Sequence, residues 1–360
     1  MSIAAGSKHS AMSTEGISDY SWIFGQSVDR LVTVEMRPVG LPYGKIERLL
    51  DAARAESGYP SQTLLAAQAL RNAVTPGDAV FIVTGAGTPP FIPKGENDGP
   101  IGAAALARSV LLGLGAVPVY LCEEHHLDPI VASSEAAGVP VRPSGIEPRS
   151  ARGAFAECAP TTDADVPAWA SEMFARYSPA ALIFTERLGP NRQGIIHGST
   201  GISGFLPMVD LSPILTEATE RKVVSIGIGD AGNEIGFGRI FDAVREIQEP
   251  GAVCRCPCGD GMATVAATDV LVVASVSNWG AYAIDACLAH LLGREDLPQS
   301  PKMAERVIQA CFDGGGYEAV FCTQRDLVDG IASETSIGLT QILREMVRIS
   351  LLPADSGPAH

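Results

Sequence analysis

The residue types that could do chemistry gather in short glycine-rich segments. In IGIGDAGNEIGFGRI, residues 226–240, an apolar run meets Gly227, Gly229 and Gly232, and Asp230 and Glu234 put two carboxylates into the turn. Glycine there permits positive φ and close backbone approach. A helix expected to begin near Asn233–Glu234 would offer free N–H groups to an anion. The three glycines match G-x-G-x-x-G by spacing, which suits a nucleotide phosphate. The carboxylates suit a hard cation such as Mg²⁺ or Mn²⁺ instead. In a third reading Asp230 or Asn233 caps the helix and Glu234 faces its dipole.

Three further segments share this character. In residues 84–102, Glu96 and Asp98 lie two apart, beside Lys94 and ahead of Gly99-Pro100. They are a turn with Asp98 as cap, or a second carboxylate pair. In TERLGPNRQGIIHG, residues 185–198, Glu186 and Arg187 directly follow an apolar run. They form a surface ion pair, or Glu186 faces a site while Arg187 or Arg192 holds a substrate carboxylate. His197 is a plain loop residue or a catalytic one. In VSNWGAY, residues 276–282, Ser277 and Asn278 cap a helix, or Asn278 orients a substrate or a metal-bound water. Trp279 is expected to pack. Asp313-Gly314-Gly315 is a further turn of the same kind.

Cys254, Cys256 and Cys258 (CRCPC) would share one face of an extended segment. They are plain thiols, or ligands of a soft metal, or a redox group. Structural zinc usually uses C-x₂₋₄-C pairs, and no second pair of that spacing is present. His125-His126 also lacks a partner pattern and is expected at the surface. G-x-S-x-G, H-E-x-x-H and G-x-x-x-x-G-K-[ST] are all absent.

These segments need elements to hold them. AVFIVT (79–84), 117–122, AALIFT (180–185), KVVSIGI (222–228) and VLVVAS (270–275) read as strands buried on both faces. Helical spacing marks 43–57, 61–74, 101–115, 128–137, 166–177, 211–220, 234–248, 279–292, 302–311 and 327–350. Short strands are expected at 139–142 and 319–322. Strands alternating with helices predict an α/β fold: a mostly parallel sheet with helices on both faces, three-layered and Rossmann-like, with a small insertion. Ligands then bind beyond the carboxyl ends of the strands, which points to 85–100, 186–210, 229–234 and 276–280. Residues 21–350 are expected to form one catalytic domain with an irregular insertion at 144–165. Residues 1–20 are expected to be a disordered lead and 351–360 a flexible tail.

The 360 residues carry 26 Lys and Arg against 41 Asp and Glu, a net charge of −15. That balance excludes phosphate-backbone binding and docking to anionic membranes. With 46% apolar residues a large core is available. No bilayer span or apolar leader is present, so a cytoplasmic address is expected. In that setting the eight cysteines are expected to be reduced.

GIGDAGNEIGFG at 227–238, SNWGAY at 277–282 and E-x-D-G-P at 96–100 resemble the D-glutamate cyclase family. Glu186-Arg187 and Asp313-Gly314 fit the same pattern less specifically. The chain departs from it at Ala231, where a second glycine is common, at Asn97, where Thr is common, and over 313–318. The resemblance implies an α/β fold, a lyase converting D-glutamate to 5-oxo-D-proline and water, and a divalent cation, Mn²⁺ or Mg²⁺, on acidic side chains. Closing that ring needs a polarised γ-carboxylate, a base for the ammonium and an acid for the departing oxygen. The expected metal ligands are Glu96, Asp98, Asp230, Glu234 and Asp313, and the catalytic groups Glu96, Asp230, Glu234 and Asn278. Lys94, Glu186, Arg187, Arg192, Asn233 and Ser277 are expected to bind substrate. Two rivals are a metal-dependent hydrolase or phosphotransferase on a small anionic substrate, and a nucleotide-binding sensor. The expected partner is a small molecule, D-glutamate or a related amino acid, with the chain forming a homo-oligomer.

Overall fold

A computed structural model describes residues 10–36, 43–87, 89–142, 152–204 and 208–353. Parts of the expected lead (1–9), insertion (144–151) and tail (354–360) lie outside them. In chain order the elements are α1 (Asp19–Val32), α2 (Ile46–Ser57), α3 (Gln62–Ala73), β1 (Ala79–Thr84), α4 (Asp98–Arg108), β2 (Val117–Cys122), α5 (Leu127–Ala136), β3 (Phe155–Cys158), α6 (Val166–Tyr177) and β4 (Ala181–Thr185). They continue with α7 (Pro213–Arg221), β5 (Val224–Gly229), α8 (Phe241–Ile247), α9 (Glu249–Ala252), β6 (Val270–Val273), α10 (Ser277–Leu292), α11 (Pro301–Asp313), the hairpin β7 (Leu327–Val328) and β8 (Ile331–Ala332), and α12 (Ser333–Ser350).

The main sheet is parallel throughout, in the order β3-β2-β1-β4-β5-β6. Alternation along each strand divides its side chains between two layers. Val80, Ile82, Ile183, Ile226 and Val272 face the helices α1, α3, α4, α10 and α12. Phe81, Val83, Leu182 and Phe184 face α6 and α7, and Leu271 and Val273 face α2 and α8. The expected three-layer α/β architecture is therefore present. The strand order reverses between β1 and β4, and such a switch point opens a crevice at the carboxyl ends of the strands. No helix among the described residues is long and apolar enough to cross a membrane.

Some local expectations change. Residues 139–142 form no strand; Val141 makes one bridge to Ala154, and the edge strand is β3, inside the stretch expected to be irregular. Residues 319–322 form turns, and the hairpin β7–β8 follows instead. The helix expected from Glu234 begins only at Phe241. α1 had no marked pattern. It docks through Asp29, whose buried carboxylate accepts from the N–H groups of Gln62 (3.1 Å) and Thr63 (3.2 Å) and so caps α3.

The strand ends are tied together by Arg187, which is fully buried. Its Nη1 donates to Glu123 Oε2 (2.6 Å) and to the Gly85 carbonyl (2.9 Å). Its Nη2 donates to Glu123 Oε1 (2.7 Å) and to the Val209 carbonyl (2.5 Å). All four terminal N–H groups are thus used, so the substrate-carboxylate role expected for Arg187 lacks a donor pair. Glu123 also accepts from Val209 N (2.9 Å) and from His126 Nδ1 (3.1 Å). Burial pushes the Glu123 carboxyl up, but the Arg187 charge and these hydrogen bonds outweigh it and hold it well below the ordinary range. His126 is therefore buried rather than at the surface. A Cβ on Gly85, Gly87 or Gly95 would come within 2.9 Å of its ring, so three glycines make its cradle.

Breaking this pair strands a buried guanidinium, which costs about 3–5 kcal/mol. Glu123→Gln should lose stability on that scale in urea denaturation. Glu123→Leu combined with Arg187→Met should recover part of it. A loss for Glu123→Gln below about 1 kcal/mol, the value of a surface pair, would refute the clamp.

Candidate active site

The loops after β1, β4 and β5 bring five carboxylates into one place. One oxygen from each of Glu96, Asp98 and Glu186 lies within 4.8 Å of the others, and the same holds for Glu186, Asp230 and Glu234. Glu186 belongs to both groups. Asp98, Glu186, Asp230 and Glu234 are buried, and Glu96 is half-buried.

Each carboxylate is held by local structure. Glu186 follows β4 directly and adopts φ 45°, an unusual value for a residue with a side chain. Its Oε2 accepts from Ser277 Oγ (2.5 Å), so Ser277 braces the hub of the cluster and caps no helix. Asp98 opens α4. Gly99 lacks a Cβ because one would sit 2.7 Å from Thr84 Oγ1 and 3.1 Å from Glu186 Cβ. At Gly102 a Cβ would meet Asn278 Cα at 3.0 Å. These two glycines let α4 press against the strand ends and α10.

Glu234 completes the GDAGNE turn. Its Oε1 accepts from Asp230 N (3.0 Å) and Ala231 N (2.9 Å), and its Oε2 from Gly232 N (2.7 Å). A nest of amides of this kind ordinarily attracts a phosphate. Here the protein's own carboxylate fills it, so these three N–H groups are not free for a nucleotide. Gly229 makes room, since a Cβ there would lie 2.7 Å from the Glu234 carboxyl carbon.

The other expected site residues separate into two sets. Asn278 is fully buried at the start of α10, and neither its Oδ1 nor its Nδ2 has a hydrogen-bond partner among the described residues. The hydroxyls of Thr84 and Thr185, at the ends of β1 and β4, are likewise buried and unpartnered. Asn233 spends its Nδ2 on the His197 carbonyl (2.7 Å). Lys94 lies toward solvent against Asp128 (2.5 Å), Arg192 is paired with Asp260, and Asp313 ends α11 beside Gln309 (2.9 Å). These three are engaged elsewhere, and Asp313 joins neither carboxylate group. Asp329 is an unforeseen neighbour, near enough to raise both Glu96 and Asp98. Asp329-Gly330 forms the tip of the β7–β8 hairpin with positive φ at both residues (45° and 75°), as a type I′ turn requires. The D-G dipeptide was the available signal.

Burial, and then mutual repulsion, raise the carboxyls of Glu96, Asp98, Glu186 and Glu234 above the usual range. Glu186 feels Asp98 first and then Glu234 and Asp230, and the Ser277 hydrogen bond only partly offsets this. No salt bridge among the described residues reaches any of these four. Crowded oxygen donors short of positive charge are the ligand set a hard divalent cation prefers.

A family model described as "D-glutamate cyclase-like, C-terminal" matches residues 51–346, well over half of the chain. A 70-residue segment is 40% identical to the mitochondrial D-glutamate cyclase of Homo sapiens. That segment covers 19% of this chain and 10% of the human protein, so the chain spans a small part of that relative.

The raised carboxyls hold protons more readily in the folded chain than in the unfolded one. In metal-free protein they therefore cost stability increasingly as pH rises above the unfolded carboxyl value, near 4.3 for Glu. Glu186→Gln should raise Tm by several degrees at pH 8 in chelator, and the gain should shrink toward pH 5. Thermal melts of both proteins check this, and a lower Tm for the variant at pH 8 would count against it. Gly229→Ala should displace the Glu234 carboxylate from the Asp230, Ala231 and Gly232 amides and lower Tm by several degrees in thermal melts.

Proposed function

The chain belongs to the D-glutamate cyclase-like, C-terminal family, and on that premise we propose that it is a lyase closing D-glutamate to 5-oxo-D-proline with release of water. The observation that carries this reading is the pair of carboxylate groups sharing Glu186 at the β1/β4 switch point. Asp98, Glu186, Asp230 and Glu234 would hold a divalent cation, Mn²⁺ or Mg²⁺. Such a cation supplies neutralisation and polarisation of the substrate γ-carboxylate.

The chain's own groups do the rest. Ring closure forms the N–Cδ bond and breaks one Cδ–O bond. The ammonium gives up two protons, and the departing oxygen gains two as water. Glu96, half-buried at the edge of the cluster with a raised carboxyl, is placed to take a proton from nitrogen and return it to oxygen. Asn278, Thr84 and Thr185 supply buried hydrogen-bonding groups still wanting partners, which a folded-over substrate can satisfy. Holding nitrogen against Cδ is itself a large part of the acceleration. With Arg187, Arg192 and Lys94 engaged elsewhere, substrate charge is met chiefly by the cation, so binding requires metal.

Incubation with D-glutamate and Mn²⁺ should produce 5-oxoproline, measured by chromatography, and chelator should abolish it. Glu186→Gln should lower kcat/KM by at least about 10²-fold. Full activity in the double variant Asp230→Asn with Glu234→Gln would sink the assignment of the site. Turnover of a phosphate ester in place of D-glutamate would favour the phosphotransfer reading.

A further inference from the structure

The carboxylates leave a second cluster unused. His197 comes from the loop after β4, and Cys254, Cys256 and Cys258 follow α9. The three sulfurs lie 3.4 Å (Cys254–Cys256), 3.2 Å (Cys254–Cys258) and 3.2 Å (Cys256–Cys258) apart. His197 Nε2 lies 3.2 Å from Cys256 Sγ and 3.7 Å from Cys258 Sγ. None of the cysteines is in a disulfide. Sulfurs bound about 2.3 Å from a tetrahedral centre stand about 3.8 Å apart, so an ion needs only a few tenths of an ångström of outward movement.

The surroundings are those of a ligand shell. His197 Nδ1 donates to the Ile195 carbonyl (3.0 Å), which leaves the lone pair of Nε2 facing the sulfurs. Metal-binding histidines are ordinarily oriented by such a bond on the other ring nitrogen. Asn191 Nδ2 reaches Cys258 Sγ (3.5 Å) and also donates to the Gly261 carbonyl (2.9 Å). Gly201 has φ +77°, and a Cβ there would lie 3.2 Å from Cys254 Cα, so glycine lets the two loops close on each other.

We propose that His197, Cys254, Cys256 and Cys258 form a structural Zn²⁺ site that pins the loop after β4 to the segment after α9. Three soft sulfurs and one imidazole select zinc over the hard cation suited to the carboxylates. Four protein ligands close the coordination sphere, so the site holds structure and performs no chemistry. It supports the carboxylate cluster indirectly, because Asn233 in the GDAGNE turn hydrogen-bonds the His197 carbonyl and Leu188 bridges Glu234.

Protein expressed in zinc-supplemented medium and purified reduced, without chelator, should carry about one zinc per chain by mass spectrometry of the metal. Exchange with Co²⁺ should give thiolate-to-cobalt charge transfer and the intense visible bands of tetrahedral cobalt. Cys256→Ser should lose both signals, and Glu186→Gln should keep them, which separates this site from the carboxylates. The cobalt spectrum is read on the unaltered chain, so poor folding of the cysteine variant leaves the test intact. Reduced wild-type protein with neither zinc nor the cobalt bands would overturn the proposal. A disulfide among the three cysteines in fresh protein, or zinc retained after all three are changed to Ser, would do the same.

Discussion

Arg187 sits where the loops after β1, β2 and β4 converge, beyond the reach of water. A buried guanidinium must be paired with an opposite charge, because an unpaired charge there costs several kcal/mol. Glu123 supplies one matched pair, and the carbonyls of Gly85 and Val209 take the other two terminal N–H groups, which leaves Nε alone unpartnered among the described residues. This requirement fixes the relative positions of three strand ends. It also sets the direction of Glu186, which is one residue away and held at φ 45°. A backbone angle of this kind persists only where its surroundings over-determine it. The hub of the carboxylate cluster is therefore aimed by a bond that the hub does not itself make.

The cluster opposes this order. Four crowded carboxyls with raised proton affinity work against folding at neutral pH. The sheet holds them together because they arise from three separately packed segments, Glu96 and Asp98 after β1, Glu186 after β4 and Glu234 after β5. Gly99, Gly102 and Gly229 remove the methyl-sized obstacles that would otherwise keep those elements apart.

The fold was legible because β1, β2, β4, β5 and β6 are continuous apolar runs separated by helical periods, and parallel sheets bury both faces. That pattern also placed Glu96, Asp98, Asp230 and Glu234 at strand ends, where the structure brings them together. Hydrogen bonding across the fold was not legible. Arg187 looked like a substrate clamp because its partner Glu123 lies in another loop, 64 residues away. His126 looked exposed because the glycines that admit its ring belong to the loop after β1. The cysteine motif lacked a second pair because its fourth donor is a histidine from the loop after β4. β3 was missed because its four residues sit at the sheet edge, two of them half-buried and one exposed, without the apolar run of the central strands. Short edge segments carry little pattern to read.

The Glu234 carboxylate has its place set before any cation arrives. Three amide N–H groups orient it, so coordination asks almost no ordering entropy of that side chain. Departure of a cation would leave the same three bonds in place and the turn unmelted. Occupancy at this point of the molecule can thus change without remaking the turn, while a bound cation would relieve the carboxylate repulsion and so stabilise the folded chain. The cysteine segment is likewise held from outside, by Arg255 N on the Gly201 carbonyl (2.8 Å) and Asn191 Nδ2 on the Gly261 carbonyl (2.9 Å), so an ion there would tighten a loop already in place.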